Sequence, residues 1–249
     1  MLRTKSYFAS DFHLGIDAKD SSRLREAKII RWLDAIAHDA KAIYLVGDLF
    51  DFWFEYRSVV PKGHFRFLSK LDQLVSDGIE LYLFTGNHDM WMFDYLETEL
   101  GIEIIRQAVV REIDGKLFYI AHGDGLGSGD FSYKLLKKLF ASKICQWLFA
   151  RIHPNLAFRI AQNWSKYSRN SHGDSRFLGA EKERLIQYSY EFLKSRHIDF
   201  FVFGHRHLPM LFDLGKKSKF VNLGDWLSHY SYAVFDGKNI QLKQFEKDA

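Results

Sequence analysis

Seven side chains of the kinds that bind metal ions follow the ends of predicted strands. Asp11 and His13 are two residues apart, and so are His205 and His207. Residues two apart in an extended chain point to the same face, so each pair can address one metal centre. The other three side chains each follow a different predicted strand: Asp48, Asn87 and His122.

Three oxygen donors and four imidazoles are more than one ion needs, but they suit two ions that share a bridging carboxylate. A single buried histidine usually does no more than satisfy backbone groups, whereas ligands at five strand ends are hard to explain as accidents. Mixed oxygen and nitrogen donors favour Mn, Fe, Co or Zn over Ca or Mg, and the absence of thiolates argues against a structural zinc site. The pattern therefore predicts a dinuclear metal centre.

Five short runs are predicted as the strands that position these ligands: 5–13, 41–48, 80–89, 116–124 and 199–207. Segments with helical spacing at 21–40 and 65–77 separate the first three runs. This alternation of strands and helices is typical of an α/β sheet. In such sheets ligands bind beyond the carboxyl ends of the strands. The Asp114-Gly115 pair predicts a hairpin, and 220–224, 231–235 and 239–245 predict a C-terminal meander. A mixed sheet, or two packed sheets with helices outside, accounts for both patterns.

Residues 131–190 have helical periodicity and no strand signal, which predicts a helical cap inserted within a single domain of residues 1–249. Pro154 is expected to break this insertion, and residues 168–179 to form a loop before a last helix at 180–195. The part from Phe131 to Arg176 carries nine Lys and Arg residues against one Asp. The insertion is therefore a basic block in an otherwise acidic chain.

Composition limits the class of protein. The chain has 249 residues, of which 47% are apolar, and its single Cys145 cannot form an internal disulfide. The first fifteen residues lack the apolar core of a signal peptide, and no run approaches the ~18 apolar residues of a membrane-spanning helix. A net charge of +4 is too small to indicate nucleic-acid binding by itself. We expect a cytoplasmic protein in a reducing compartment.

Five motifs, in this order, resemble those of the calcineurin-like metallophosphoesterases, whose fold is a pair of packed mixed β-sheets flanked by helices. The resemblance therefore implies an α/β protein with that fold, carrying the inserted helical cap, and a metal-dependent hydrolase. Two close cations are well suited to in-line displacement at phosphorus. The motifs are DFH at 11–13, GDLFD at 47–51, GNHD at 86–89, HGD at 122–124 and GHRH at 204–207.

The resemblance also assigns roles to motif residues. His88 matches the catalytic histidine of the family, and Asp89 would orient or polarise it. Asp51, Asp124 and Arg206 would support the site or close its loops. Asp48 would bridge two divalent ions, one held by Asp11, His13, Asp48 and His207, and the other by Asp48, Asn87, His122 and His205. Mn²⁺ is the expected metal, with Fe, Co or Zn as alternatives.

Within that family the chain resembles the UDP-2,3-diacylglucosamine pyrophosphatases of lipid A biosynthesis over almost its whole length. The shared features are DFHLG, GDLFDFW, the helical insertion after HGDGLGSGD, and GHRHLP. Those enzymes release UMP and the diacylglucosamine 1-phosphate called lipid X. By analogy, the residues that would contact substrate are Asp130, Ser165, Lys166 and Arg169. The pyrophosphatases usually carry Arg in place of His88, so another nucleotide-sugar lipid or phosphodiester stays open as the substrate.

The apolar and basic residues of the insertion suit acyl chains and an anionic membrane surface, where the protein would bind peripherally on the inner face. A helical hairpin packed on the core would show the same periodicity. A nuclease or phosphoprotein phosphatase on this fold is an alternative, but an insertion rich in Leu, Ile and Trp argues against a nucleic-acid partner. A non-catalytic scaffold is the third possibility, and the presence of all seven ligands with His88 argues against it.

Overall fold

The computed structural model describes residues 2–129, 131–171, 177 and 179–246, and the side chains of all of these except 166–171. Eleven strands occur in the described residues. They are β1 Lys5–Ala9, β2 Ala40–Val46, β3 Glu80–Phe84, β4 Glu103–Ile105, β5 Val109–Ile113, β6 Lys116–Ala121, β7 Phe200–Phe203, β8 Met210–Asp213, β9 Lys219–Asn222, β10 Ser231–Phe235 and β11 Ile240–Gln244. Seven helices accompany them: α1 Ser22–Ile36, α2 Phe65–Ser76, α3 Tyr95–Leu100, α4 Phe131–Ala141, α5 Lys143–Phe149, α6 Pro154–Ser171 and α7 Arg184–Leu193.

The strands form two mixed sheets, which confirms the predicted fold class. The first sheet has the order β11-β10-β1-β2-β3-β4, and the second has the order β5-β6-β7-β9-β8. Strands β1 to β4 are mutually parallel, as are β6, β7 and β9. The carboxyl ends of β1, β2, β3, β6 and β7 therefore carry the predicted ligands.

Alternating side chains on the strands hold the two sheets together. Phe8 of β1 stacks on Tyr44 of β2 and on Phe118 of β6, with ring centroids 4.8 and 5.6 Å apart. Its neighbours Tyr7 and Ala9 point to the other face and pack in the cluster that includes α1 and α2. Period-two alternation thus buries both faces of the first sheet, as expected of strands covered on both sides.

The predicted C-terminal meander is wrong in one respect. Strand β9 pairs with β7 and β8 in the second sheet, and only β10 and β11 form a hairpin in the first. Residues 223–230 connect the two sheets. Within this segment the backbone N–H of Trp226 donates to the Asp11 carbonyl. The alternation of apolar and polar residues cannot show which sheet β9 joins, because the alternation is the same whichever strand it pairs with.

The predicted insertion contains helices of two kinds. We call α4, α5 and α6 the outer helices. Pro154 is the first residue of α6, where a missing N–H costs least, so the expected break lies at a helix start. Helix α6 continues to Ser171, past the predicted loop boundary, and α7 begins at Arg184 rather than at 180. Helix α7 packs on the second sheet through buried Leu185 and Ile186.

None of the helices described combines the length and the apolar character needed to cross a bilayer.

Candidate metal centre

The structure brings six of the seven predicted ligands together in two clusters at the carboxyl edge of the sheets. In each cluster, one ligand atom from every residue lies within 4.8 Å of the others. Asp48 lies between the clusters, with its Oδ2 3.8 Å from His13 Nε2 and 3.3 Å from His122 Nε2. This is the place that a bridging carboxylate requires. The clusters are Asp11 with His13 and His207, and Asp48 with His122 and His205.

Buried polar atoms of the predicted ligands fit divalent cations. Among the described residues, Asp11 Oδ1, Asn87 Oδ1 and His122 Nε2 are buried without a hydrogen-bond partner. An unsatisfied buried polar group costs about 1–3 kcal/mol, so each needs another kind of partner. The other ring nitrogen of His122, Nδ1, donates to the Val46 carbonyl at 2.9 Å, which leaves Nε2 with the lone pair that a metal needs.

Backbone turns, rather than extended segments, direct the paired ligands. Strands β1 and β7 end before the ligands, at Ala9 and Phe203. The expectation that each pair shares one face of an extended chain is therefore wrong. Non-glycine residues at positive φ cost of order 1–3 kcal/mol and gather at functional sites. The ligands with this conformation are Asp11 (φ 57°), His13 (44°), Asp48 (54°), His205 (65°) and His207 (55°).

Close contacts between the ligand loops require glycine at two motif positions. A Cβ on Gly86 would lie 2.1 Å from Asp48 Oδ1, and one on Gly204 would lie 2.6 Å from Asp11 Oδ2. Glycine lets the backbone N–H groups approach instead. The His205 N–H donates to Asp11 Oδ2 at 3.0 Å. The glycines that begin GNHD and GHRH thus make room for the carboxylates of neighbouring loops.

Electrostatics keep the two central carboxylates ionised. Burial by itself would raise the pKa of Asp48, but electrostatic interaction with the imidazoles of His122 and His88 outweighs it and holds that pKa well below its usual value. The pKa of Asp11 is likewise lowered, because His207 and His13 outweigh its burial. Both carboxylates are therefore anionic near neutral pH, which is the form that binds metal.

The structure places Asp89 against backbone N–H groups rather than against the His88 ring. Its Oδ1 accepts the Gly86 N–H at 2.7 Å, and its Oδ2 accepts the N–H groups of Leu49 at 2.7 Å and Phe50 at 3.4 Å. Burial and the charge of Asp48 raise its pKa to about 7, against the lowering effect of these N–H groups. Asp89 joins the GDLFD and GNHD loops, and the His88 ring has other partners.

The His88 ring is held by Asp51 and by the outer helices. Nδ1 lies 3.0 Å from the Asp51 carbonyl oxygen and 3.2 Å from Ser165 Oγ on α6. The ring meets His13 edge to face, with centroids 4.8 Å apart. Burial lowers the pKa of His88, and the charge of Asp48 opposes this effect. His88 therefore borders the first cluster, and Nδ1 is already engaged.

Only Ser165 of the predicted substrate contacts can be placed in full. Its side chain is 3% exposed and lies between Asp51 and His88. Asp130 lies outside the described residues, as do the side chains of Lys166 and Arg169.

Comparison with known proteins agrees with this geometry. The sequence profile of the calcineurin-like phosphoesterase family matches residues 4–209. The chain belongs to this family. The predicted metal-dependent hydrolase is thereby confirmed, and the family implies divalent metal ions, for which the two clusters are candidate ligand groups.

Two relatives of this phosphoesterase carry the name UDP-2,3-diacylglucosamine hydrolase. The one from Porphyromonas gingivalis is 40% identical over 260 residues, covering 98% of this chain and 99% of its own length. The one from Actinobacillus succinogenes is 26% identical over 241 residues, covering 96% of this chain and 99% of its own length. Among solved structures, a phosphoesterase from E. coli has a TM-score of 0.46 at 15% identity, covering 97% of this chain and 93% of that one.

Sequence reasoning missed two residues beside the phosphoesterase centre. Asp225 is buried, and its Oδ2 lies 3.7 Å from His207 Nδ1 and 3.4 Å from His229 Nδ1. A carboxylate behind a metal-binding imidazole orients the ring. Asp225 stands in the segment LGDW at 223–226, but no local feature of the sequence indicates that this segment lies beside the second sheet.

Motif residues outside the ligand set anchor helices of the insertion. Asp124 Oδ2 accepts the Tyr133 hydroxyl at 2.7 Å and lies 2.6 Å from Lys137 Nζ, both on α4. Arg206 pairs with Glu183, just before α7, at 3.1 Å. With the Ser165 contact of Asp51, three motifs each hold a helix of the insertion, in line with the predicted supporting roles.

The outer helices present two apolar faces. One packs on aromatic side chains of the core: Phe149 lies 4.6 Å from Trp91 and 4.9 Å from Phe54, centroid to centroid. The other faces solvent and carries most of the large apolar side chains exposed in the described residues. These are Phe131, Leu135, Leu139, Ile144, Trp147, Leu148, Leu156, Ile160 and Trp164.

Proposed function

We propose that this chain hydrolyses the pyrophosphate bond of UDP-2,3-diacylglucosamine to UMP and 2,3-diacylglucosamine 1-phosphate. The observation that carries the proposal is the 40% identity, over nearly the full length of both chains, to a protein named for this substrate. The large apolar side chains exposed on the outer helices support a substrate with acyl chains.

The two metal sites would use the ligands predicted from the sequence. Asp11, His13, Asp48 and His207 would hold one ion, and Asp48, Asn87, His122 and His205 the other, with Mn²⁺ as the proposed metal. When bound, the pair supplies Lewis acidity and neutralises charge during in-line displacement at phosphorus. Water adds to one phosphorus atom, and the bond from that phosphorus to the bridging oxygen breaks.

His88 would act at the oxygens that gain charge. Because Nδ1 is engaged by the Asp51 carbonyl, Nε2 is the ring nitrogen left for substrate. With Nδ1–H directed at the Asp51 carbonyl, Nε2 can donate only in the imidazolium form. In that form a hydrogen bond or a proton from Nε2 to the leaving or a non-bridging oxygen would stabilise the transition state. The backbone N–H of His88 donates to Asp48 Oδ1 at 2.9 Å, which fixes this residue against the proposed bridging carboxylate.

The outer helices would receive the acyl chains and rest on an anionic lipid surface. Their exposed face combines large apolar side chains with Lys138, Lys143 and Arg151, which are also exposed. Each basic residue near such a surface contributes about 1 kcal/mol. Lys134 and Lys137 instead contact Gly127 and Asp124, so they hold α4 to the core. We propose peripheral binding at the cytoplasmic face of the inner membrane.

A substrate panel with Mn²⁺ tests the activity. We expect kcat/KM for UDP-2,3-diacylglucosamine to exceed that for UDP-N-acetylglucosamine by about 100-fold or more, since burial of a methylene contributes about 0.8 kcal/mol and four suffice. Release of UMP is the measurement. Equal turnover of the two substrates, or faster cleavage of a dinucleotide or of nucleic acid, would contradict the proposed substrate.

Substitutions on α5 test the lipid-facing surface. Ile144 and Leu148 are 74% and 55% exposed. We expect Ile144→Ser with Leu148→Ser to reduce sedimentation with phosphatidylglycerol vesicles about tenfold or more, because two apolar side chains no longer leave water. Added salt should weaken the remaining binding.

The matched control is Leu211→Ser, an apolar side chain on β8 that is 45% exposed. It should leave vesicle binding unchanged. Neither change should alter hydrolysis of bis(p-nitrophenyl) phosphate, which is soluble. Equal losses of vesicle binding and of diester hydrolysis in the α5 variant would show that this surface supports the fold.

A further inference from the structure

The contact between Ser165 and the GDLFD loop joins an outer helix to the proposed catalytic histidine. Ser165 Oγ donates to Asp51 Oδ1 at 2.8 Å and lies 3.2 Å from His88 Nδ1. A serine that is 3% exposed leaves little surface with which to meet a substrate. Its position therefore suggests a role different from the substrate contact expected from the sequence.

The hydrogen-bond partners of the His88 ring show that its Nδ1 carries a hydrogen. The Asp51 carbonyl, 3.0 Å from Nδ1, can only accept, so Nδ1 must carry the hydrogen. The Ser165 hydroxyl hydrogen goes to the Asp51 carboxylate, which leaves an Oγ lone pair facing the same N–H. The ring is thus held from two sides with Nε2 left over.

Aromatic contacts hold α6 against the GDLFD loop region and against α4. Phe158 of α6 meets Phe52 of the GDLFD loop region with centroids 5.1 Å apart. The Trp91 indole N–H donates to the Phe140 carbonyl of α4 at 2.9 Å. On α6, Trp164 adjoins both Ser165 and the Phe140 ring, at 6.2 Å. Ser165 therefore reaches His88 only when the outer helices lie against the core.

We propose that Ser165 is a positioning residue for His88, through which the seated outer helices orient the histidine for phosphoester hydrolysis. The inference rests on the proposed function only in that His88 contacts the reacting phosphoryl group. It applies to any phosphodiester substrate, because it does not involve the acyl chains. Loss of an orienting hydrogen bond of this kind typically lowers activity about 10- to 100-fold.

The test compares Ser165→Ala on a small and a lipid substrate with Mn²⁺. We expect kcat to fall at least tenfold for bis(p-nitrophenyl) phosphate and by a similar factor for UDP-2,3-diacylglucosamine, with each KM within twofold of wild type. Ser165→Thr, which keeps the hydroxyl, should recover most of the loss. Ser132→Ala, an exposed serine on α4, is the matched control and should have no effect.

A double variant separates positioning from a general disturbance. In the His88→Ala background, Ser165→Ala should change kcat less than twofold, because the ring that it orients is gone. Multiplying losses in the double variant would overturn the proposal. So would a higher KM for the lipid substrate alone with diester hydrolysis intact, which would assign Ser165 to substrate binding. If only the UDP-lipid fails to react with the wild-type protein, the proposed substrate is wrong, and the diester arm still tests Ser165.

Discussion

Asp48→Ala is expected to abolish diester hydrolysis and to lower bound metal more than any other single change of a ligand. Asp48 Oδ2 lies within 3.8 Å of an imidazole nitrogen in each cluster, so one substitution removes a ligand from both proposed ions. The same change removes the carboxylate oxygen that lies 3.3 Å from His122 Nε2. Metal content by mass spectrometry and turnover of bis(p-nitrophenyl) phosphate measure the result.

Asp11→Ala is the matched control, because Asp11 is proposed to hold one ion only, whereas Asp48 is proposed to hold both. It should retain about half of the metal, whereas Asp48→Ala should retain little of either ion. Circular dichroism of both variants shows whether the fold persists without the buried carboxylate. Normal turnover or two retained ions in folded Asp48→Ala would end the dinuclear hypothesis.

That these side chains gather at one edge of the sheets could be predicted, because short strands and polar strand ends are local features. The five runs that end in Asp, Asn or His correspond to β1, β2, β3, β6 and β7. The way in which the ligands converge could not be predicted. Asp11 and His207 turn through left-handed conformations, which cost energy by themselves and are maintained by contacts between loops far apart in the chain.

Partners of buried polar groups were also beyond a reading of the sequence. Adjacency suggested that Asp89 orients His88, but short-range neighbours need not share a hydrogen bond. The structure gives that position to Asp51 and to Ser165, which are 114 residues apart in the chain. Helical periodicity likewise identified the outer helices but not which lysines face inward. Both faces of these helices carry apolar side chains together with lysines, so the pattern does not separate an inner from an outer face.

The motifs that supply ligands also hold the insertion. Asp51 meets α6, Asp124 meets α4, and Arg206 meets the residue before α7. A surface proposed to hold lipid is thereby tied by hydrogen bonds to the loops proposed to carry the chemistry. Seating of the outer helices and geometry at the metal centre are therefore expected to change together.

His88→Ala is expected to leave both metal ions bound and to lower the rate about 10²- to 10⁴-fold, the usual contribution of a general acid or base. Its backbone N–H donates to Asp48, and this bond does not depend on the side chain. The ring lies beside the first cluster, edge to face with His13, but supplies no atom to either ligand set proposed above. Turnover of the small diester and metal content are measured on the same sample.

His88→Arg is the informative companion, since Arg occupies this position in the pyrophosphatases that the sequence resembles. An arginine can donate to a phosphoryl oxygen but cannot supply a proton near neutral pH. If His88 stabilises charge by hydrogen bonding, Arg should recover much of the rate lost in His88→Ala. If it transfers a proton, Arg should be as slow as Ala. Loss of a metal ion in His88→Ala would instead make His88 a ligand, since a histidine that acts only on substrate leaves the cations in place.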